Sequence, residues 1–252
     1  MDAINGVAPA FSPEYAAMVL LGMFVVLLFP VTRGFDDSDR RRYYLLQGIT
    51  LVAAVLGAKL AVLMGDALWP LQPFEQWSAL LVSGRSIVGA LLVGFLVAEA
   101  AKPLLRYPLP PNDRFAVILP FSIGIGRMGC YLAGCCLGLP HEGPLALTYA
   151  DGIARHPVAI YEMAFHFSAG LLLWQMYKRR LLFGRLFAVY LVGYGAFRFG
   201  TEWLRVTEKV FFGLSAYQWF AVMMIVSGAV AIIVRSGKQP SGWMRMRRES
   251  TS

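Results

Sequence analysis

Charged residues, histidines and cysteines are all scarce in this chain. Of its 252 residues, 15% are charged, three are histidine and three are cysteine, whereas 58% are hydrophobic. Soluble domains are about 45–50% apolar even when glycine is counted, so the composition excludes an ordinary soluble protein and indicates an integral membrane protein. An odd number of cysteines excludes a complete disulfide framework.

The amino-terminal segment has none of the features of a cleaved leader. A cleavable signal begins with basic residues, and a transit peptide is rich in Arg and Ser. Here the first apolar run follows the acidic residues Asp2 and Glu14. We therefore expect this run to be retained as a membrane span.

Seven apolar runs are long enough to cross a bilayer as helices, for which about 20 residues are needed. Most Lys and Arg residues follow the first, third, fifth and seventh runs, a bias typical of cytoplasmic loops. The net charge of +8 therefore reports orientation rather than nucleic-acid binding. The sequence predicts an all-α, polytopic integral membrane protein with seven transmembrane helices, its N-terminus outside and its C-terminus in the cytoplasm. The runs lie at residues 14–32, 44–64, 80–101, 115–136, 157–177, 186–204 and 213–234. Residues 1–238 would form one membrane domain and residues 239–252 a basic cytoplasmic tail.

A few basic residues lie inside these runs or near their outer ends, where charge is costly and usually marks function. They are Lys59, Arg85, Arg127, Arg155, Arg198, Arg205 and Lys209. Snorkelling of long side chains to the interface is the alternative, and it remains open for Arg85, Arg155 and Lys209. Glu99, near the end of the third run, is expected to pair with Lys102 or to reach the membrane interface.

The stretch "GIGRMGCYLAGCCLGLP" (residues 124–140) combines an arginine with all three cysteines. The guanidinium of Arg127 suits a phosphate. The cysteines lack C-x-x-C spacing and an adjacent histidine, so no metal site is predicted. They are interpreted as packing residues, with a thiol-redox role as the alternative. Small residues recur every four positions and predict a packing stripe on one helix face: Ser122, Gly126, Cys130, Gly134 and Gly138.

The sixth run ends with Arg198, Glu202 and Arg205, whose i, i+4, i+7 spacing predicts one shared helix face. Tyr194 precedes Arg198 by one turn. Two arginines and one glutamate leave a positive patch, although a self-neutralising structural network remains an alternative. His156 precedes Pro157, which suits the first turn of a helix. A histidine at a membrane face can act as a general base, but a lone histidine is more often structural.

Three motifs, in this order, resemble the prolipoprotein diacylglyceryl transferase family. They are "GRMGCYLAGCCLG" (126–138), "HPVAIYE" (156–162) and "YGAFRFGTEWLR" (194–205), supported by "GAKL" (57–60) and "LSAYQW" (214–219). The resemblance covers about residues 15 to 232. It implies a seven-span enzyme of the bacterial inner membrane that needs no cofactor. Such an enzyme moves the diacylglyceryl group of phosphatidylglycerol to the lipobox cysteine of a prolipoprotein and releases glycerol-1-phosphate.

The resemblance also implies roles for individual residues. Arg127 matches the arginine of the family's signature motif, and Arg198 matches the essential arginine of the sixth span. These two arginines are the expected catalytic phosphate clamp. The expected substrate-binding set comprises these two arginines with Arg205, Gly138, Tyr15 and Tyr194.

The chain departs from the family pattern at three places. Cys130 replaces an asparagine, Cys135 replaces a glutamate, and "SIVGAL" (86–91) lacks the family's histidine. His156 and Glu202 are therefore the candidate catalytic bases. A non-catalytic lipid-binding or transport scaffold of the same fold is a further alternative.

Overall fold

The structure is a computed structural model that describes residues 12–68, 73–74, 77, 84–107, 113–209 and 212–236. Within these residues the chain forms seven α-helices and one two-stranded antiparallel sheet. The helices are α1 (Pro13–Leu28), α2 (Asp37–Val62), α3 (Ile87–Leu104), α4 (Asp113–Leu132), α5 (Val158–Lys178), α6 (Leu186–Thr201) and α7 (Ala216–Ser236). The strands are β1 (Leu147–Thr148) and β2 (Ala154–Arg155), both in the segment between α4 and α5.

Each predicted run overlaps one of these helices, and the all-α class is confirmed. Four described helical segments are long and apolar enough to cross a membrane: Asp37–Asp66, Ile87–Leu104, Asp113–Leu132 and Ala216–Ser236. The first of these includes a π-helical turn at Leu63–Ala67 that continues α2. Helix α1 is apolar but has 16 residues. The predicted tail at 239–252 lies outside the described residues.

Most helix ends differ from the predicted bounds, and α2 begins at Asp37 rather than at residue 44. Helix α3 begins at Ile87 because the Ser86 side chain accepts a hydrogen bond from the Gly89 N–H and caps the helix. Helix α4 ends at Leu132 rather than at residue 136. Helix α6 ends at Thr201 and continues as a single 3-10 turn through Leu204.

Neighbouring helices approach closely where glycine faces glycine. A Cβ atom on Gly57 of α2 would meet the carbonyl oxygen of Gly89 on α3, and the reverse also holds. Helices α6 and α7 also approach closely at a glycine, since a Cβ on Gly228 of α7 would lie 2.9 Å from the carbonyl oxygen of Ala188 on α6. Such contacts bring helix backbones together where lipid provides no hydrophobic force between helices.

Large apolar side chains cover the outside of the bundle. Helices α1, α2 and α7 expose residues such as Leu27, Leu56 and Ile233. A soluble monomer rarely exposes such a continuous apolar surface, so these faces suit contact with lipid chains.

A cluster of ion pairs joins α3 to α7. Glu99 pairs with Lys102, which confirms the predicted pairing, and also with Arg235 at 2.6 Å. We call Glu99, Lys102 and Arg235 the Glu99 cluster. Nearby, the Asp113 carboxylate accepts hydrogen bonds from the backbone N–H groups of Gly184 and Leu186, which fixes the start of α6.

Candidate active site

One carboxylate, that of Glu162, lies at the centre of three arginines. It projects from the first turns of α5 and is fully buried. Its Oε2 pairs with Arg127 Nε of α4. Its Oε1 lies 3.4 Å from Arg198 Nη1 and 2.7 Å from Arg205 Nη2. The three arginines predicted to be functional therefore meet at a single buried point.

A second buried carboxylate, that of Glu202, holds Arg198 from the other side. Its Oε2 lies 2.7 Å from Arg198 Nη2. Its Oε1 accepts hydrogen bonds from Thr207 Oγ1 at 2.8 Å and from Ser215 Oγ at 3.0 Å. Arg198 is thus fixed between two carboxylates. We call Arg127, Glu162, Arg198, Glu202 and Arg205 the Glu162 cluster.

The Glu162 cluster carries one more positive than negative charge. It contains three guanidinium groups and two carboxylates, and every member is at least nine-tenths buried. In the described part of the chain, no other carboxylate forms an ion pair with these arginines. An excess buried positive charge is costly unless an anion compensates it. The arrangement therefore suits binding of a single anionic group.

Arg205 reaches the cluster by a route other than the one predicted. The shared helix face requires a helix through residue 205, but Arg205 has extended backbone angles (φ −112°, ψ 153°). It pairs as a β-bridge with Gly138. Next to this bridge, the Leu139 N–H donates to the Leu204 carbonyl at 2.8 Å, and the His156 N–H donates to the Leu139 carbonyl at 3.1 Å.

Gly138 is required at this position because the backbone of His156 lies against it, where a Cβ would collide. In the structure, Gly138 thus lets the loop after α4 pass between the segments that hold Arg205 and His156. The predicted involvement of Gly138 in substrate binding remains a proposal.

The predicted stripe of small residues ends at Cys130, because α4 stops two residues later. Gly134 follows with φ +62°, a backbone conformation that commonly terminates helices. Gly134 and Gly138 therefore lie off the helix, and the prediction that they continue its face is wrong. Cys135 and Cys136 also lie in this loop rather than on the helix.

The loop instead turns back and brings the three thiols together beside Arg127. The sulfur atoms of Cys130, Cys135 and Cys136 all lie within 4.8 Å of one another, and no disulfide links them. Arg127 Nη1 lies 3.6 Å from Cys130 Sγ and 3.5 Å from Cys136 Sγ. Arg127 thus has a carboxylate on one side and thiols on the other.

His156 lies in the segment before α5, which begins at Val158 after Pro157 as expected. Its ring stacks on that of His141, with centroids 3.9 Å apart. Its Nδ1 lies 3.3 Å from the Tyr161 hydroxyl. Desolvation lowers the pKa of His156 below its ordinary value, and the neighbouring His141 lowers the pKa further. A lowered pKa favours the neutral imidazole, which is the form that a base requires.

The two predicted tyrosines lie on different sides of the cluster. The Tyr15 ring faces Arg85, whose guanidinium carbon is 5.1 Å from the ring centroid, and packs beside Cys130. Tyr194 is fully buried, and its ring centroid lies 4.6 Å from that of His166. Among the described residues its hydroxyl has no hydrogen-bond partner. A buried hydroxyl without a partner usually indicates a water molecule or a ligand.

Sequence reasoning missed the central role of Glu162 and also missed His166. Both lie on one face of α5, four residues apart, and both are fully buried. The His166 Nδ1 lies 2.9 Å from the Tyr190 hydroxyl. The available signal was a carboxylate and an imidazole at helical spacing within one apolar run, in a chain whose other apolar runs contain arginines. A further contact, from the Tyr217 hydroxyl to Asp66 at 2.6 Å, has no local sequence signal.

Comparison with known proteins places this chain in a family. Residues 12–234 match the profile described as prolipoprotein diacylglyceryl transferase. Curated relatives named phosphatidylglycerol–prolipoprotein diacylglyceryl transferase include one from Cupriavidus metallidurans, 28% identical over 87% of each chain. Another, from Bordetella bronchiseptica, is 30% identical over 85% of this chain and 87% of its own. A third, from Polynucleobacter asymbioticus, is 32% identical over 71% of this chain and 73% of its own.

Proposed function

The chain belongs to the prolipoprotein diacylglyceryl transferase family, and we propose that it transfers the diacylglyceryl group of phosphatidylglycerol to the lipobox cysteine of a prolipoprotein. The observation that carries the proposal is the Glu162 cluster, with its one excess positive charge inside a multi-pass membrane protein. The phosphodiester of phosphatidylglycerol carries one negative charge. It is therefore a matching anion that a lipid brings into the membrane.

Arg127 and Arg198 would clamp the phosphate. A guanidinium offers a planar fork of N–H donors that matches phosphate oxygens, and it stays charged when buried. Glu162 holds both forks in place before the lipid arrives, so little side-chain ordering remains to be done on binding. Arg205 joins them through the same carboxylate, and the Tyr194 hydroxyl is available as a further donor. Tyr15 and Gly138 would lie at the border of this site, because Tyr15 packs against the group that contains Cys130 and Gly138 pairs with Arg205.

The reaction is a displacement at carbon. The sulfur of the lipobox cysteine forms a bond to the glycerol carbon, and the bond from that carbon to the phosphate oxygen breaks. A thioether results, and glycerol-1-phosphate leaves with the electron pair. Because the leaving phosphate gains negative charge, preorganised arginines stabilise the transition state more than the bound lipid.

The thiol proton must go to a base, for which His156 and Glu202 are the candidates. Glu202 already accepts hydrogen bonds from Thr207 and Ser215 and pairs with Arg198. Both oxygens of Glu202 are therefore already engaged, so the geometry favours His156 as the base. Glu202 then acts by positioning Arg198.

We also propose the finer topology of the molecule. The protein lies in the bacterial inner membrane and crosses it seven times, with its N-terminus outside and its C-terminus in the cytoplasm. The alternation of basic loops supports this orientation, and so do the seven helices at the positions of the seven runs. Residues 1–238 would form one domain, and the basic tail would lie near the anionic inner leaflet. Reporter fusions at Ser38, Pro108, Leu182 and Arg245 should all report cytoplasm, and a periplasmic result at any of them refutes this topology.

Mass spectrometry of a lipobox peptide tests the transfer itself. After incubation with the enzyme and phosphatidylglycerol, the peptide should gain one diacylglyceryl group on its cysteine. A peptide with serine in place of that cysteine should gain nothing. Binding of the lipid without a mass gain would favour the non-catalytic scaffold. Thiol exchange with the peptide without lipid transfer would favour the redox alternative.

A further inference from the structure

All three thiols of the chain converge beside Arg127, although their spacing predicted no metal site. Their sulfur atoms lie within 4.8 Å of one another. We propose that Cys130, Cys135 and Cys136 form a binding site for a soft cation of the Cu⁺ type. This site is separate from the lipid chemistry, since the proposed transfer requires none of the three thiols.

The backbone of the loop after α4 is shaped to bring the sulfurs together. The Cys135 N–H donates to the Cys130 carbonyl at 3.1 Å, which folds the loop back onto the last turn of the helix. Cys136 then adopts φ +59°, a conformation that residues with a Cβ atom rarely adopt. This unusual conformation places the Cys136 sulfur against Arg127, next to Cys130.

The donor set selects the class of ion. The group contains three sulfur donors, and within the described residues no histidine or carboxylate completes it. Thiolates favour soft ions, Cu⁺ among them. Structural zinc normally takes four protein ligands, so three sulfurs alone suit Cu⁺ better. With metal–sulfur bonds of about 2.3 Å, a trigonal site separates its sulfurs by about 4 Å. The observed spacing therefore needs only a small contraction.

The charge balance also favours thiolates at this position. Binding one cation through three thiolates releases three protons to solvent, and with Cu⁺ the resulting complex carries two negative charges. Arg127 donates toward two of the sulfurs, those of Cys130 and Cys136. Hydrogen bonds from a cation to an anionic acceptor are stronger than neutral ones, so the surroundings stabilise the anionic complex.

The site is accessible to a cation, and a bound cation would link two parts of the chain. Cys130 and Cys135 are buried, whereas Cys136 is partly exposed in the loop, so an ion can approach along the loop. A bound ion would tie the end of α4 to the segment that leads to Gly138 and its bridge to Arg205. Because the ion binds only the folded site, it should raise the thermal stability of the protein.

Cadmium, a soft ion whose thiolate bonds absorb in the ultraviolet, provides the test. The reduced full-length protein in detergent micelles is titrated with Cd²⁺, and charge-transfer absorption, stoichiometry and melting temperature are recorded. The expected result is one ion per chain, absorption in proportion to three cadmium–sulfur bonds, and a raised melting temperature. Excess Cu⁺ should displace the cadmium band.

Serine variants decide whether the three thiols act together. Each of Cys130→Ser, Cys135→Ser and Cys136→Ser should weaken binding at least tenfold, and the cysteine-free triple variant should neither bind nor gain stability. Where a serine variant fails to fold, the alanine variant at that position takes its place. The proposal is overturned if the wild-type protein binds no cadmium, or if the triple variant binds as well as the wild type. The measurement uses no lipid or peptide, so its outcome is independent of the proposed transferase activity.

Discussion

The Glu162 cluster and the Glu99 cluster both pair glutamates with basic side chains, and they lie at opposite ends of α7. Ser215, which contacts Glu202, immediately precedes this helix, and Arg235 lies near its last residue. Helix α7 has 21 residues and spans about 30 Å at 1.5 Å per residue. Yet Glu162 is fully buried, whereas the Glu99 side chain is 35% exposed.

The difference in exposure between Glu162 and Glu99 indicates that the two clusters have different functions. A partly exposed ion pair costs little to form and contributes little to stability. A buried group of five charges loses the hydration of every member, and apolar residues of similar volume would often be as stable. The Glu162 cluster therefore needs a reason other than stability. Binding of an anionic lipid headgroup supplies that reason, whereas the Glu99 cluster only joins two helix ends.

The largest expected effect is a loss of transfer rate when an arginine of the proposed phosphate clamp is replaced. Arg198→Lys should reduce diacylglyceryl transfer by about two orders of magnitude, the usual cost of losing one preorganised donor in an active site. A lysine keeps the charge but loses the bidentate fork, so Arg198→Ala should be only slightly worse. Transfer is measured in membranes that contain equal amounts of each variant.

Arg235→Lys in the Glu99 cluster is the matched control and should transfer at a rate near that of the wild type. If Arg198→Lys also transferred normally, Arg198 would be a point charge or a structural residue. The two clusters would then not differ in the way proposed.

The next effect concerns stability. Glu162→Gln removes the carboxylate shared by three buried arginines and should lower the free energy of unfolding by about 3 kcal/mol, as expected for breaking a buried ion pair. Glu99→Gln should cost about 1 kcal/mol or less because the Glu99 side chain itself is 35% exposed. Unfolding in mixed micelles, followed by circular dichroism, gives both values. Equal losses would contradict the comparison.

A smaller effect should appear in the dependence of transfer on pH. A catalytic base must be neutral, and the pKa of His156 is lowered by desolvation and by His141. The neutral imidazole therefore persists to more acidic pH than usual, and transfer should decline only at pH below about 6.5, the ordinary histidine value. His156→Gln should lower the rate and abolish this acidic limb. An unchanged acidic limb in that variant would assign the base elsewhere.

The smallest effect is expected for the thiols. The cysteine-free triple serine variant should keep most of its transfer activity. A free thiolate beside Arg127 would itself accept the diacylglyceryl group and remain blocked as a stable thioether, so we expect the thiols to be protonated or bound to a metal ion during transfer. Loss of transfer in a stably expressed triple variant, or a lipid adduct on Cys130, would show that the thiols take part in the reaction.

The helices could be predicted from the sequence because the membrane imposes a long and nearly continuous apolar signal. Their ends could not, since they depend on single residues and on tertiary pairing. Helix α4 stops before Gly134 because of a positive φ angle, and α6 gives way to extended backbone where Arg205 pairs with Gly138. Neither event changes the hydropathy of the run.

The site was predictable in part for a similar reason. An arginine inside an apolar run is costly enough to stand out, so Arg127 and Arg198 could be singled out from the sequence. Glu162 could not be placed at the centre, because its partners come from other helices and no spacing relates them. The convergence of Cys130, Cys135 and Cys136 likewise depends on a loop that turns back, which the spacing of the cysteines does not indicate.

Retention of phosphatidylglycerol by the purified protein tests most directly the claim that the Glu162 cluster holds a lipid phosphate. Native mass spectrometry of the wild type, of Arg127→Lys and Arg198→Lys, and of Arg235→Lys would compare lipid retained at equal detergent and lipid concentrations. The account predicts that the wild type and Arg235→Lys retain one phosphatidylglycerol, whereas Arg127→Lys and Arg198→Lys lose most of it. Equal retention by all four proteins would contradict it.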